Sequence, residues 1–347
     1  MTRLFFDTLE KNVCVGTGSS CLVYHVSPAI AVKTVRHSEY DERHPFLQEI
    51  TFFDALNDRE DRCVDIIECF LALTDHIFLA YCDLNQLGRR LTSRQACETL
   101  PDGSPGRVIS VNEFDDSSLV ARWIRQIASA LEYIEKMGFA HNDVHPRNCL
   151  LDKNLNLKLA DFDCCTTVGQ WLTSSYAPWA RMIPSGPLKG TYGLCGARTE
   201  QFAVGTLLYN MVYGYQPYDD IDLKNQNPDE LERRFQEMEF PELGKHQTFD
   251  GLISACWYNV YPTMALLAYD FKRKTKAIAL EPVNLLINST KEKETCEVLI
   301  RKGLLGPDLA LKFKRPIWQT YLRWVLGSFT SFWTNLVSLS RRFSIER

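Results

Sequence analysis

The chain has 347 residues, 45% hydrophobic and 24% charged, with a formal net charge of −4. That composition is globular, with apolar material enough for a sizeable core, and its slightly acidic balance argues against general nucleic-acid binding. Twelve cysteines without Cys-x-x-Cys spacing exclude a disulfide framework or zinc site and point to reduced thiols in the cytosol or nucleus, while Asp7 interrupts the apolar start too early for a secretory signal.

In chain order, residues 13–24 read as two strands around a glycine turn. Gly16 and Gly18 let the backbone approach a bound group closely, and the flanking Val, Leu and Tyr residues favour strands. Ala31-Val32-Lys33 supplies the next strand. A helix is predicted from Pro45 to Leu56, with Phe46, Ile50, Phe53 and Leu56 at helical spacing and Glu49 among them. Two apolar strands follow near 65–72 and 76–82. Residues 85–116 read as a loop-like insertion containing Asp102-Gly103 and Ser104-Pro105-Gly106. Ser117 then opens an amphipathic helix carrying Val120, Ile124, Ile127, Leu131 and Ile134, closed by Gly138.

Two polar clusters come next, His141-Asn142-Asp143-Val144-His145-Pro146-Arg147-Asn148 and Asp161-Phe162-Asp163. Between them, Cys149–Leu151 and Leu155–Leu159 read as the strands of a hairpin turned by Asp152-Lys153-Asn154. Such a hairpin delivers Asn148 and Asp161 to one point. That spacing is what gripping Mg·ATP beside an acceptor hydroxyl needs, with Asp143 orienting the hydroxyl and taking its proton. A long irregular stretch follows at 164–198, with Trp171, Trp179, three prolines and five glycines. Residues 199–209 read as a buried helix leading to Gly214-Tyr215-Gln216-Pro217-Tyr218. Asn227-Pro228-Asp229-Glu230 is a helix start with a cap, a first-turn proline and two acids at the positive dipole end.

The two clusters resemble the catalytic loop and metal-binding motif of the protein kinase family, usually written His-Arg-Asp-Leu-Lys-Pro-x-Asn and Asp-Phe-Gly. The glycine turn before Ala31-Val32-Lys33, the helix at 199–209 with its Gly-x-x-Pro exit, and the Cys256-Trp257 pair are also similar to that family. The resemblance covers roughly residues 11–265, and its details are similar to a fungal branch of protein-kinase-domain proteins. It implies an α+β bilobal fold, with a small β-rich lobe at 1–83 and a larger, mainly helical lobe at 84–285. It further implies ATP and Mg2+ as cofactors. Gly16, Gly18, Val23 and Ala31 would line the nucleotide, Leu79 the back of the adenine pocket, and backbone groups of Ala80 and Cys82 would bond the base. Lys33 would contact the α- and β-phosphates and pair with Glu49, with Asp143 as catalytic base and Asn148 and Asp161 as metal ligands. The implied activity is transfer of the γ-phosphoryl group to a serine or threonine hydroxyl of a protein substrate, ahead of tyrosine, by a monomer. An aminoglycoside- or choline-type small-molecule kinase and a pseudokinase interaction module are the alternatives.

Several positions depart from the family pattern. Asn142 stands where an arginine usually docks an activation-loop phosphate, Asp163 replaces the flexible glycine, and Cys21 the third loop glycine. His145 stands where serine/threonine enzymes usually carry lysine, whereas Arg147 is more usual in tyrosine-directed ones. A clear Ala-Pro-Glu is missing, with Gly190-Thr191-Tyr192 as the approximate substrate-side anchor. Its usual arginine partner is missing too, at Tyr261-Pro262-Thr263. Loss of both partners of a buried ion pair is expected to leave no orphan charge.

Residues 286–347 read as a basic, aromatic-rich helical extension. From 312 onward seven Lys/Arg face one acid, so the rest of the chain carries about −10. Leu322, Val325, Phe329, Phe332, Leu336 and Leu339 form a helical stripe. The uncharged run from 324 to 340 has 17 residues, roughly 25 Å as a helix against a ~30 Å hydrocarbon core. The stripe is expected either to pack on the large lobe or, through 317–342, to make a peripheral membrane contact.

Overall fold

A computed structural model of the chain describes residues 12–18, 20–36, 46–84, 86–281 and 288–302. Its small lobe is a five-stranded antiparallel sheet, β1 (Val13–Thr17), β2 (Cys21–Ser27), β3 (Ile30–Val35), β4 (Cys69–Leu73) and β5 (His76–Ala80), ordered β1-β2-β3-β5-β4. Helix α1 (Leu47–Asn57) covers one face. Phe52, Phe53 and Leu56 are buried in the core, and Glu49 is buried among them. The helix begins two residues later than the spacing predicts, and Pro45 lies outside the described residues. Strands β3 and β5 are buried along nearly their whole length, so their continuous apolar runs are those of central strands.

Residues 86–111 correct the loop expectation. They form α2 (Leu87–Thr92) and a hairpin of β6 (Gln95–Thr99) and β7 (Pro105–Val111). The hairpin is largely exposed and its register shifts twice, which breaks the alternation by which a strand is recognised in a sequence. Its turn is legible, since Asp102 Oδ1 accepts from the Ser104 amide at 2.9 Å and Gly103 takes φ +84°.

The large lobe is built on α3 (Ser117–Lys136), capped by Asp116, whose side chain accepts from the Ser118 amide. Short strands β8 (Phe139–Ala140), β9 (Cys149–Leu151), β10 (Leu157–Leu159) and β11 (Thr166–Thr167) carry the polar clusters, with β9 paired to β10 and β8 to β11. Then come α4 (Ala197–Tyr213), α5 (Pro228–Gln236), α6 (Gln247–Trp257) and α7 (Met264–Lys274). Helix α4 is buried on nearly all sides, as a central helix must be. Gly205 lets α6 approach it, because a Cβ there would lie 2.7 Å from Cys256 Cβ. The predicted cap of α5 is present, with the Asn227 side chain accepting from the Glu230 amide at 3.2 Å.

Helix α8 (Ser289–Arg301) packs against β4, with Cys296 and Ile300 fully buried. Asn288 caps it by accepting from the Lys291 amide at 3.1 Å. The Leu322–Leu339 stripe and the membrane contact expected of 317–342 lie outside the described residues. Among the described residues no helix is long and apolar enough to cross a membrane.

Candidate active site

Antiparallel register brings the small-lobe residues together. Val23 is opposite Lys33, and Ala31 opposite Leu79. Lys33 is 4% exposed, with Nζ 2.6 Å from Glu49 Oε2 and 2.5 Å from Asp161 Oδ1. Burial alone would lower its pKa, but the Glu49 and Asp161 carboxylates raise it well above the ordinary lysine value, so the ammonium stays charged. The pairing expected between Lys33 and Glu49 is therefore present, and Asp161 joins it from the other lobe.

The two clusters meet as their hairpin predicts. The Ala160 amide donates to the Asn148 carbonyl at 2.9 Å, fixing Asn148 next to the strand end that carries Asp161. Asn148 Nδ2 donates to Asp143 Oδ2 at 2.8 Å and to the Asp143 carbonyl at 2.9 Å. His145 Nε2 stands 3.3 Å from the same Oδ2. Burial pulls the Asp143 carboxyl upward, but His145, His141 and Asn148 together hold it below the usual aspartate range. Phe162 is fully buried, stacked on Phe52 with ring centroids 4.0 Å apart and edge-on to Phe53 and His141. This packing holds Asp161 inward.

The nucleotide-side residues line one edge of the small lobe. Gly16 pairs with Val23, and the Gly18 amide donates to the Cys21 carbonyl at 2.9 Å. Cys21 is more than a passive replacement, because its Sγ would lie 2.7 Å from a Cβ at Gly18. Burial pushes that thiol up to about 11. Ala31, Leu79, Ala80 and Cys82 are all buried. The Ala80 amide donates to the Glu68 carbonyl at 2.9 Å, which leaves only its carbonyl to meet a base.

The oxygen atoms fit a hard divalent cation. Asn148 directs its amide hydrogens at Asp143, which leaves Oδ1 as the atom available to a cation. Asp161 holds Lys33 through Oδ1 and keeps a side chain 38% exposed. Carboxylate and amide oxygens of this kind suit Mg2+ held together with phosphate oxygens. Asp163 adds to the negative field. Its carboxylate, that of Asp143 and Cys164 Sγ lie within 4.8 Å of one another, and burial with the Asp161 charge raises the Asp163 carboxyl.

Four residues at the site carry roles that sequence reasoning missed. Glu200 is buried in α4, and its carboxylate accepts from the His141 amide at 3.1 Å and the Asn142 amide at 3.0 Å. Asn142 itself takes φ +66° and donates to Thr166 Oγ1 at 3.0 Å and the Cys164 carbonyl at 3.1 Å, so the residue in the arginine's place fastens the loop. Trp179 packs on His145 with ring centroids 6.0 Å apart. The fourth, Arg181, is a cation that the missing Ala-Pro-Glu pair does not account for, and its guanidinium lies 5.8 Å from the centre of the Phe202 ring. It is buried, with Nε and Nη1 lacking any partner. Nearby, Glu232 of α5 accepts from the Ala177 amide at 2.9 Å and from the Tyr192 hydroxyl at 2.5 Å, which anchors the segment where Ala-Pro-Glu is absent. Only the His-x-Asp-x-His spacing offers a signal, and it concerns His145, the partner of Trp179; the contacts of all four residues join segments distant in sequence.

The family described as protein kinase domain matches residues 9–260. Human tyrosine-protein kinase ABL2 is 35% identical over 134 residues, covering 38% of this chain and 11% of that protein. Human NUAK family SNF1-like kinase 1 is 32% identical over 131 residues, 38% of this chain and 19% of its own. Maternal embryonic leucine zipper kinase of Danio rerio is 35% identical over 102 residues, 28% of this chain and 15% of its own. The chain thus matches only 11% to 19% of the length of these relatives. Its own family match runs from the glycine turn through α6, across both lobes and both polar clusters, and on that basis the chain belongs to the protein kinase domain family.

Proposed function

We propose that the chain is an ATP- and Mg2+-dependent protein kinase that transfers the γ-phosphoryl group to a serine or threonine hydroxyl of a protein. The observation that carries this is Lys33 held between Glu49 and Asp161 while Phe162 is packed inward, so that the groups meant for nucleotide and metal stand assembled across both lobes. When bound, Mg2+ neutralises charge on the transferring phosphates. The chain's own residues position and exchange a proton. Lys33 presents a fixed ammonium to the α- and β-phosphates, and Asn148 and Asp161 offer oxygens for the metal. Asp143, held ionised by His145 and Asn148, orients the acceptor hydroxyl and takes its proton. Free thiols at all twelve cysteines support a reducing compartment, cytosol or nucleus.

The test uses purified chain, labelled Mg·ATP and generic protein acceptors, followed by phospho-amino-acid analysis. Phosphoserine or phosphothreonine should form with the wild type and disappear in Asp143→Ala, while that variant still binds Mg·ATP. Full turnover in Asp143→Ala sinks the assignment. Turnover on aminoglycosides or choline with none on protein would make it a small-molecule kinase. No turnover at all, with no difference from Asp161→Asn, would make it a pseudokinase.

A further inference from the structure

Tyr81, the first residue after β5, is gripped twice by the β2–β3 hairpin. Its amide donates at 2.9 Å to the carbonyl of Ala29, in the turn between those strands. Its ring stacks on His25 of β2, with centroids 3.8 Å apart and planes 16° from parallel. The first contact fixes the backbone and the second fixes the side chain. His25 Nε2 is buried without a partner, so ring contact rather than that nitrogen holds the imidazole in place.

Both rings stand next to the residues expected at the nucleotide. Strand alternation puts His25 on the same face of β2 as Val23, and the register sets it directly opposite Ala31. Tyr81 lies between Ala80 and Cys82, whose backbone groups are expected to bond the base. The Tyr81 amide ties this segment to the small lobe, and the Leu84 amide ties it to the large lobe by donating to the Leu151 carbonyl at 3.1 Å. Between those two anchors the Cys82 amide has no backbone partner among the described residues. A free donor on a short connection must be ordered before it can bind, and ordering it beforehand raises affinity.

Resting on the protein-kinase function above, we propose that His25 is a positioning residue for the nucleotide: its stack on Tyr81 holds the Cys82 amide in a fixed place relative to Val23 and Ala31, ready for the purine ring of ATP. His25 itself need not touch the base. A stacked aromatic pair shifts an equilibrium by about three- to tenfold, which sets the size of the effect. The orphaned Nε2 adds nothing to this role, so a phenyl ring should serve in place of the imidazole.

The test pairs two readouts on the full chain: amide hydrogen exchange over residues 80–84 without nucleotide, and calorimetric binding of Mg·ATP. His25→Ala should speed that exchange at least about threefold and raise Kd for Mg·ATP about three- to tenfold. In turnover its kcat should stay within about twofold of wild type, since only the binding of the base is affected. His25→Phe should restore both readouts and melt no lower than wild type, because it removes an unsatisfied polar atom. Tyr81→Leu should match His25→Ala, and combining the two should add little. Wild-type exchange and affinity in His25→Ala overturn the inference, even if that variant melts lower, because the stack is then packing alone. Faster exchange with unchanged affinity overturns its bearing on the nucleotide, and a His25→Phe no better than His25→Ala overturns ring contact as the cause. A wild-type chain that binds no Mg·ATP, yet shows the exchange difference, would remove the kinase function and leave the stack as a restraint on this segment.

Discussion

His145 sets its Nε2 3.3 Å from Oδ2 of Asp143, the oxygen that also accepts from Asn148. An imidazole two residues past the aspartate thereby takes the place of the more usual lysine, holding the carboxylate from the acceptor side. His145→Ala should lower kcat about tenfold with little change in KM for ATP, and His145→Lys should recover most of the loss, since the contact acts by positioning Asp143, whose own general-base contribution is on the order of 10²–10⁴-fold. Steady-state kinetics with labelled ATP checks this. Equal rates for alanine and lysine would mean that the contact does not position Asp143.

Lys33 pairs with buried Glu49 inside the small lobe and reaches the half-exposed Asp161 of the large lobe. Lys33→Met should destabilise the fold by about 3–5 kcal/mol, because it leaves the Glu49 carboxylate buried without its cation. Adding Glu49→Leu should return at least about 1 kcal/mol rather than cost more. Urea denaturation of the two single variants and the double variant measures the coupling, and strictly additive losses would rule out this account.

Gly18 and Cys21 share one space. Gly18→Ala should raise KM for ATP several-fold, as its methyl would push the Cys21 thiol aside and reshape the turn. Cys21→Ala in the same chain should restore most of the affinity. A double variant no better than Gly18→Ala would show that the strain comes from the backbone instead.

Glu200 is fully buried, and desolvation pushes its pKa up to about 7 despite the two amides it accepts. A carboxyl raised above its unfolded value gives stability that is fully present below that value, near pH 4.5, and lost as pH rises through about 7. Glu200→Gln has no such dependence and loses an acceptor, worth about 1–3 kcal/mol. Melting curves between pH 5 and 8 should therefore show the gap between wild type and Glu200→Gln shrinking as pH rises, whereas parallel curves would falsify the shift.

What could be seen in the sequence follows how local each relationship is. Asn148 and Asp161 are joined by a tight hairpin whose turn residues and strand ends are contiguous, so their meeting is legible in the sequence. Glu49 is expected from the family resemblance alone, and its burial on α1 beside Lys33 is what the fold adds. Glu200 could be placed on a buried helix, but its grip on the His141 and Asn142 amides is a contact between segments 59 and 58 residues apart. The hairpin at 95–111 was missed because exposure and shifted register erase its period. Arg181 carries no signal in the sequence, because its burial and its place over the Phe202 ring depend on segments distant along the chain.

Helix α8 carries a practical consequence. The sheet order leaves β4 outermost, and an outer strand offers unpaired amides and carbonyls to any neighbouring chain. Cys296 and Ile300 place a helix against that strand, although the family match stops at residue 260. The cooperative unit is thus longer than the family outline. Recombinant fragments cut at the outline would lose α7 and α8 together and expose a template for edge-to-edge aggregation, so expression boundaries belong beyond Arg301.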